Sequence, residues 1–271
     1  MTRGAFVLVG HSLTRIRGVL IGLGLMLAGF QFLLTQVAVY LMRQSAFSQL
    51  SALIPEFVRT AAGPSALAFM SFTGIVGLGY FHPIVMAALV GLMITIATEP
   101  VGEVETRFVD LTLARPLARL DVVTRTVFVL VIAATLMLGA MTIGTWTGLT
   151  CCAPADAEGP SLGLILSLAF TLAAVMACWA GVALAIAASV RRRAVGAAIA
   201  GVCALGAYLL DYLGRAWEPA RAISSLSPFY YFEPMTLVMG QPLSGGNITV
   251  LIGIGLAGTA VGYVIFAKRD I

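Results

Sequence analysis

The sequence predicts an all-α integral membrane protein: six transmembrane helices, an N-terminal amphipathic interfacial helix, and a short cytoplasmic helix between the second and third spans. Three observations predict it. The 271 residues are 60% hydrophobic and only 10% charged, with a mean hydropathy of +1.00, where a soluble domain carries roughly a quarter charged residues. The apolar residues come in long continuous runs, not in the alternating ten-residue segments of a membrane barrel, so the spans are helices. The charges gather in the segments between those runs. At this length the runs make one helical bundle and not several soluble domains.

The elements follow in order. In residues 1–18, Phe6, Val9, Leu13 and Ile16 recur at helical spacing, with Arg3, Arg15 and Arg17 among the more polar positions. That pattern fits an amphipathic helix lying on the membrane surface. The apolar run after it is too long for the core of a signal peptide, and no small-x-small cleavage site follows. His11 reads as an interfacial polar residue. Span one covers 19–42, uncharged throughout, and at about 1.5 Å per residue it crosses a hydrocarbon layer of roughly 30 Å with some tilt. Its polar members Gln31, Thr35 and Gln36 suit helix–helix contacts or the lining of a substrate path.

Between Arg43 and Met70, Phe47, Leu50, Ile54, Phe57 and Val58 have helical spacing, which predicts a surface helix on the opposite face, ended by Gly63-Pro64. No charge occurs from Thr60 to Thr98. Gly74, Gly77, Gly79 and Pro83 interrupt that run, so span two is placed at 77–98 with an irregular lead-in. His82 reads as an interfacial histidine. Glu99 to Arg125 is the densest run of charge in the chain, with Val104 to Ala114 as its helical middle and a candidate docking element for a soluble partner. Asp121 is a candidate N-cap for span three at 122–150. Span four is 162–190, stopped by Arg191-Arg192-Arg193. Span five, 194–210, is short and rich in small residues. The outer segment from Asp211 to Asn247 holds a predicted surface helix with Leu213, Trp217, Ala220 and Ile223 on one face. Span six is 248–267.

Counting Lys and Arg tests this layout. With the N-terminus inside, inner segments hold twelve and outer segments four. This three-to-one bias predicts cytoplasmic N- and C-termini and a cytoplasmic 99–125 loop. The net charge of +4 follows topology and gives no reason to expect nucleic-acid binding. Phe229, Tyr230, Tyr231 and Phe232 fall at the outer interface, where aromatic belts sit.

Several chemistries find no residues here. The single lysine, Lys268, cannot serve a P-loop at the end of the chain. The six spans as placed contain no Asp, Glu or Lys of the kind ion-coupled carriers bury; their only Arg and His are Arg125 at the start of span three and the interfacial His82. The two histidines stand apart, so neither a zinc protease motif nor a serine nucleophile with a nearby base can be assembled, and no catalytic or metal-ligating residue is predicted. Cys178 and Cys203 read as small core residues, and the neighbours Cys151 and Cys152 form no CxxC. Met86, Met93, Met137 and Met141 read as gap-filling core in preference to a soft-metal path.

The segment GEVETRFVDLTLARPLAR resembles the cytoplasmic segment of permease subunits of type-2 ABC exporters. That family shows a Gly followed by a cluster of Glu, then Gly-Thr-Leu, an acidic residue and a Leu-Leu-x-x-Pro-x-x-Arg run. Gly102, Glu103 and Glu105 match the acidic start; Asp110, Leu111, Leu113, Ala114, Arg115, Pro116 and Arg119 match the end. Val104 within the Glu cluster, and Arg107-Phe108 in place of Gly-Thr, depart from the pattern. SPFYYFEP before the last span and the terminal FAKRDI resemble two further stretches of the family. The nearest branch resembles the short permeases of multidrug and antibiotic export and of copper-site maturation in nitrous oxide reductase.

The resemblance implies the transmembrane subunit of an exporter in a bacterial or archaeal-type plasma membrane, moving an amphipathic or hydrophobic small molecule outward. It implies a second permease copy, the same or different, and two copies of a separate ATPase subunit that hold ATP and Mg. The chain itself then has no cofactor and is not an enzyme. It also implies that the 99–125 loop is a coupling helix, with Glu103, Glu105, Arg107, Phe108, Asp110, Leu111, Arg115 and Arg119 meeting the ATPase. Two other functions fit the residues: a non-transporting assembly or maturation scaffold, and an intramembrane enzyme acting on lipid.

Overall fold

The computed structural model describes the backbone of residues 3–44, 68–106, 119–153 and 159–268. No strand occurs among them, and six of their helices are long and apolar enough to cross a membrane. The chain is a multi-pass membrane protein.

The first helix, α1, runs from Arg3 to Arg43 without a break. A separate interfacial helix over 1–18 is therefore not observed. No proline interrupts the junction, and Gly18 is accommodated inside the helix, so the amphipathic stretch simply continues the span. Forty-one residues at 1.5 Å each make a rod of about 60 Å, twice the hydrocarbon thickness. The surface helix expected within Arg43 to Met70 lies mostly outside the described residues.

Span two is built from three pieces. Helix α2 covers Phe72–Phe81 and is capped by Ser71, whose hydroxyl accepts from the Gly74 amide at 3.0 Å. At His82 the backbone is extended, and Pro83 opens α3, Pro83–Ala97. Proline disfavours helix at the residue before it, and the His82 Nδ1 accepts from the Ile84 amide at 3.3 Å as a replacement cap. Thr98 then leads directly into α4, Glu99–Glu105. From Phe72 on, the expected irregular lead-in is thus a helix, and the break falls at His82–Pro83.

Span three is α5, Arg119–Cys152. Asp121 lies within its first turn rather than at its N-cap. A carboxylate there still faces the positive end of the helix dipole. Span four is α6, Leu162–Ser189, capped by the Ser161 hydroxyl. Span five is α7, Arg193–Ala216, longer than expected, and it takes Asp211 inside the helix. The predicted surface helix is correspondingly divided. Leu213 belongs to α7, while α8, Glu218–Ser224, begins after a break at Trp217. Of that predicted face only Ala220 is buried. A 3-10 turn at Pro228–Tyr231 and α9, Pro234–Val238, lead to span six, α10, Gly245–Lys268.

Two parallel helix pairs organise the bundle. In one, Gly24 of α1 lies against Met137 and Ala140 of α5, Gly144 against Ala28, and Gly148 against Thr35. Both residue numbers rise together, so α1 and α5 run in the same direction. In the other, Gly255 lies against Ala177 and Gly258 against Gly181, so α6 and α10 are parallel too. A Cβ on Gly255 would stand 2.6 Å from the Ala177 carbonyl oxygen; only hydrogen allows these backbones to touch, the small-residue packing that helices use where lipid gives no hydrophobic drive. Spans two and four form the centre, with 72% and 56% of their apolar windows buried against 22% for spans five and six. Met86, Met93, Met137 and Met141 are buried in the apolar core, and so is Cys178, but Cys203 is exposed on α7. Ile21, Leu25, Val202 and Leu256 point outward, as lipid-facing residues do.

Candidate functional site: the charged end of the bundle

One end of the bundle collects the starts of α1, α5 and α7 and the ends of span two and α10. Tyr263 near the end of α10 donates to the Thr124 hydroxyl of α5 at 2.8 Å. Arg15 of α1 lies 3.5 Å from Glu99. The end of α10, the polar stretch of α1, the start of α5 and helix α4 therefore share this end.

Helix α4 is its hub because Pro100 starts a new turn straight after span two and the helix then displays three carboxylates on different sides. Glu103 turns inward. Its two oxygens accept from Arg125 of α5 at 2.9 and 3.0 Å, with the two side chains 6% and 4% exposed. This is a two-pronged, fully buried pair. Glu105 accepts from the backbone amide of Arg193 at 2.9 Å, at the start of α7. The Arg193 guanidinium reaches back to the Thr95 carbonyl at 3.1 Å and lies over Gly102, where a Cβ would stand 2.8 Å from its Cδ. Glu99 is buried beside Arg15. One seven-residue helix thus holds spans one, three and five. A cleft of about 450 Å³ opens among these groups, with His11, Ser12 and Thr106 on its walls.

The structure separates the predicted site residues. Glu103 is a buried structural partner and Glu105 a surface-facing one. Arg119 is the first helical residue of α5. Arg107, Phe108, Asp110, Leu111 and Arg115 lie outside the described residues, as does the helical middle expected for that loop. Gln31 and Thr35 are fully buried where α1 meets α2 and α5: the Gln31 amide fills the space left by Gly79, and Thr35 stands against Gly148. Both are packing residues of the helix interface in this arrangement. Gln36 is half-buried beside them. The sequence pointed to neither Arg15 nor Arg193 as members of the site, because each stands far along the chain and reads as a membrane-flanking charge. Their only shared signal was membership of the same predicted side.

Among the described residues no group of three His, Cys, Asp or Glu side chains could hold a metal ion. These contacts join α4 to α1, α5 and α7. No known protein family, curated protein or solved structure matches the chain.

Proposed function

We propose that this chain is the transmembrane subunit of an ATP-driven ABC exporter. The observation that carries the reading is α4: a short helix tied by ion pairs and hydrogen bonds to three spans, directly followed by the charged segment 107–118. Such a helix suits the task of receiving a push from a soluble partner. The chain's single lysine, Lys268, fits a protein whose ATP and Mg sit on a separate subunit. Two ATPase subunits and two permease copies make the working unit, with the charged end in the cytoplasm of a bacterial-type cell.

In this reading, closure of the ATPase pair around ATP presses on the 99–125 segment. Arg107, Phe108, Asp110, Leu111, Arg115 and Arg119 supply the contact, and Phe108 and Leu111 are the apolar anchors. Glu103 does not meet the partner. It passes the load to α5 through Arg125, while Glu105 passes it to α7 through Arg193. The spans then rearrange and release an amphipathic cargo outward.

The test is gentle purification of the tagged chain from its native membrane. A stoichiometric partner carrying GxxxxGK[ST] is expected, with ATPase activity. Replacing Arg115 and Arg119 together by Glu should leave the chain in the membrane and lower ATPase stimulation about ten-fold, since each reversed contact costs on the order of 1 kcal/mol or more. A pure chain with no such partner, or a double variant with full coupling, would turn attention to a scaffold.

A further inference from the structure

Three cavities lie end to end along the side of the bundle formed by α3 and α7, away from the charged end. The first is an apolar groove of about 370 Å³ between those helices, lined by Val90, Gly201 and Leu205 among others. The second, of about 390 Å³, shares Met86, Tyr208 and Phe229 with the groove. The third, of about 550 Å³, is a polar mouth that shares Asp211, Arg215 and Glu233 with the second. Along the outer half of α7 the surroundings thus pass from apolar through aromatic to charged. Phe229 is clamped between Trp179, stacked at 5.6 Å, and Tyr208, edge-on at 5.6 Å, which fixes the aromatic wall.

Asp211 stands where the aromatic chamber meets the mouth. It is only 7% exposed. Its Oδ2 accepts from the Arg215 Nε at 2.9 Å, but its Oδ1 is buried with no hydrogen-bond partner among the described residues. A buried carboxylate oxygen without a donor is costly. Arg215 does not cover it: that side chain is 56% exposed, and its other contact is the Phe232 carbonyl at 3.5 Å. Carboxylates outnumber guanidinium groups by one in both the chamber and the mouth. A cation is the charge this place accepts.

We propose that this row of cavities binds a small amphipathic organic ammonium. Its N–H groups donate to Asp211 Oδ1, the rings of Tyr208 and Tyr212 that line the chamber flank the charge, and its apolar body lies in the groove between α3 and α7. A neutral donor can reach Oδ1 but brings no charge to offset the carboxylate, and an anion meets the excess of carboxylate. The assignment of this ligand as cargo rests on the exporter reading; the binding itself does not.

The chain alone, reconstituted in phosphatidylcholine nanodiscs, tests it with labelled 4-phenylbutylammonium measured against empty discs. 4-Phenylbutanol and 4-phenylbutyrate serve as neutral and anionic bodies of the same shape. The ammonium is expected to bind best, and Asp211→Asn to weaken it about ten-fold or more while weakening the alcohol far less. Arg215→Gln, which keeps the carboxylate and frees Oδ2, should bind the ammonium at least as well as the parent. Gly201→Leu, at a position with no atom within 4 Å of a Cβ, should fill the groove and weaken all bodies. Equal binding by the Asp211→Asn chain, equal binding of ammonium and alcohol, or loss of binding in Arg215→Gln overturns the proposal. So does displacement of the probe by phosphatidylethanolamine discs, which would make a lipid headgroup the occupant. No ATPase enters this measurement, so a missing ATPase partner would sink the exporter reading without bearing on this result.

Discussion

Glu103 and Arg125 are twenty-two positions apart, and they meet as a nearly fully buried pair on the wall of the charged cleft. Removing one member of such a pair strands a buried charge. Arg125→Ala should therefore destabilise the folded chain by about 3–5 kcal/mol, read as a fall in thermal unfolding temperature in detergent. Replacing both residues by Leu should recover most of that loss. If the single variant melts like the parent, the pair contributes no such lock. The sequence marked Glu103 as a charge of the partner-facing loop, because a charged residue in a charged run reads as solvated. What it could not show is that α5 enters at the angle that brings Arg125 underneath. Asp211 was misplaced for a related reason: the charge itself set the predicted end of span five, although an i,i+4 Arg215 lets the helix carry it onward.

At the scale of elements, the pairing of α6 with α10 depends on glycine. Gly255→Val places methyl groups against the Ala177 carbonyl and should cost about 1–3 kcal/mol or more through overpacking. Gly253→Val, two residues away with nothing within 4 Å of a Cβ, should cost only a few tenths in the same melting assay. Equal effects at the two positions would mean that the contact does not hold the helices together. The spans were legible because uncharged runs of about twenty residues have one stable solution in lipid. Pro83 reads as one of four breakers of span two, but the predicted span runs across it with the irregularity before residue 77, so the break at His82–Pro83 was not located. The glycine contacts were not, since 29 glycines in apolar helices look alike until a neighbour is placed beside them. The junction of the amphipathic stretch with span one was misread because a change of residue pattern is not a change of backbone: with no breaker between them, one helix serves both.

The whole molecule places α4, the start of α5, the residues around Arg193 and the end of α10 at one end, and the residues around Ser161 and Ser227 at the other. From the arginine distribution we propose that the first end faces the cytoplasm. Alkaline phosphatase joined after Gly159 should accordingly be active in cells, and the same enzyme joined after Lys268 inactive, by about ten-fold or more if the charge bias decides orientation. The reverse pattern would invert the molecule and with it the side from which a soluble partner could act. The overall layout was open to sequence reasoning because lipid permits few alternatives. The side-by-side order of the helices was not, since hydropathy is silent about which spans touch.

The interruption at His82–Pro83 has a mechanical meaning. Beyond it, α3 and α4 continue with only the turn at Thr98 between them, so Pro83 to Glu105 acts as a beam of about 33 Å at 1.5 Å per residue. A tilt of about 10° at that fulcrum sweeps the Glu105 tip through about 6 Å, roughly one helical turn, while α2, held to α1, stays in place. The beam carries Met86, Val90 and Gly91 of the groove wall close to the fulcrum. In the exporter we propose, a long stroke at the charged tip would become a short, forceful one beside α7, the gearing of a nutcracker.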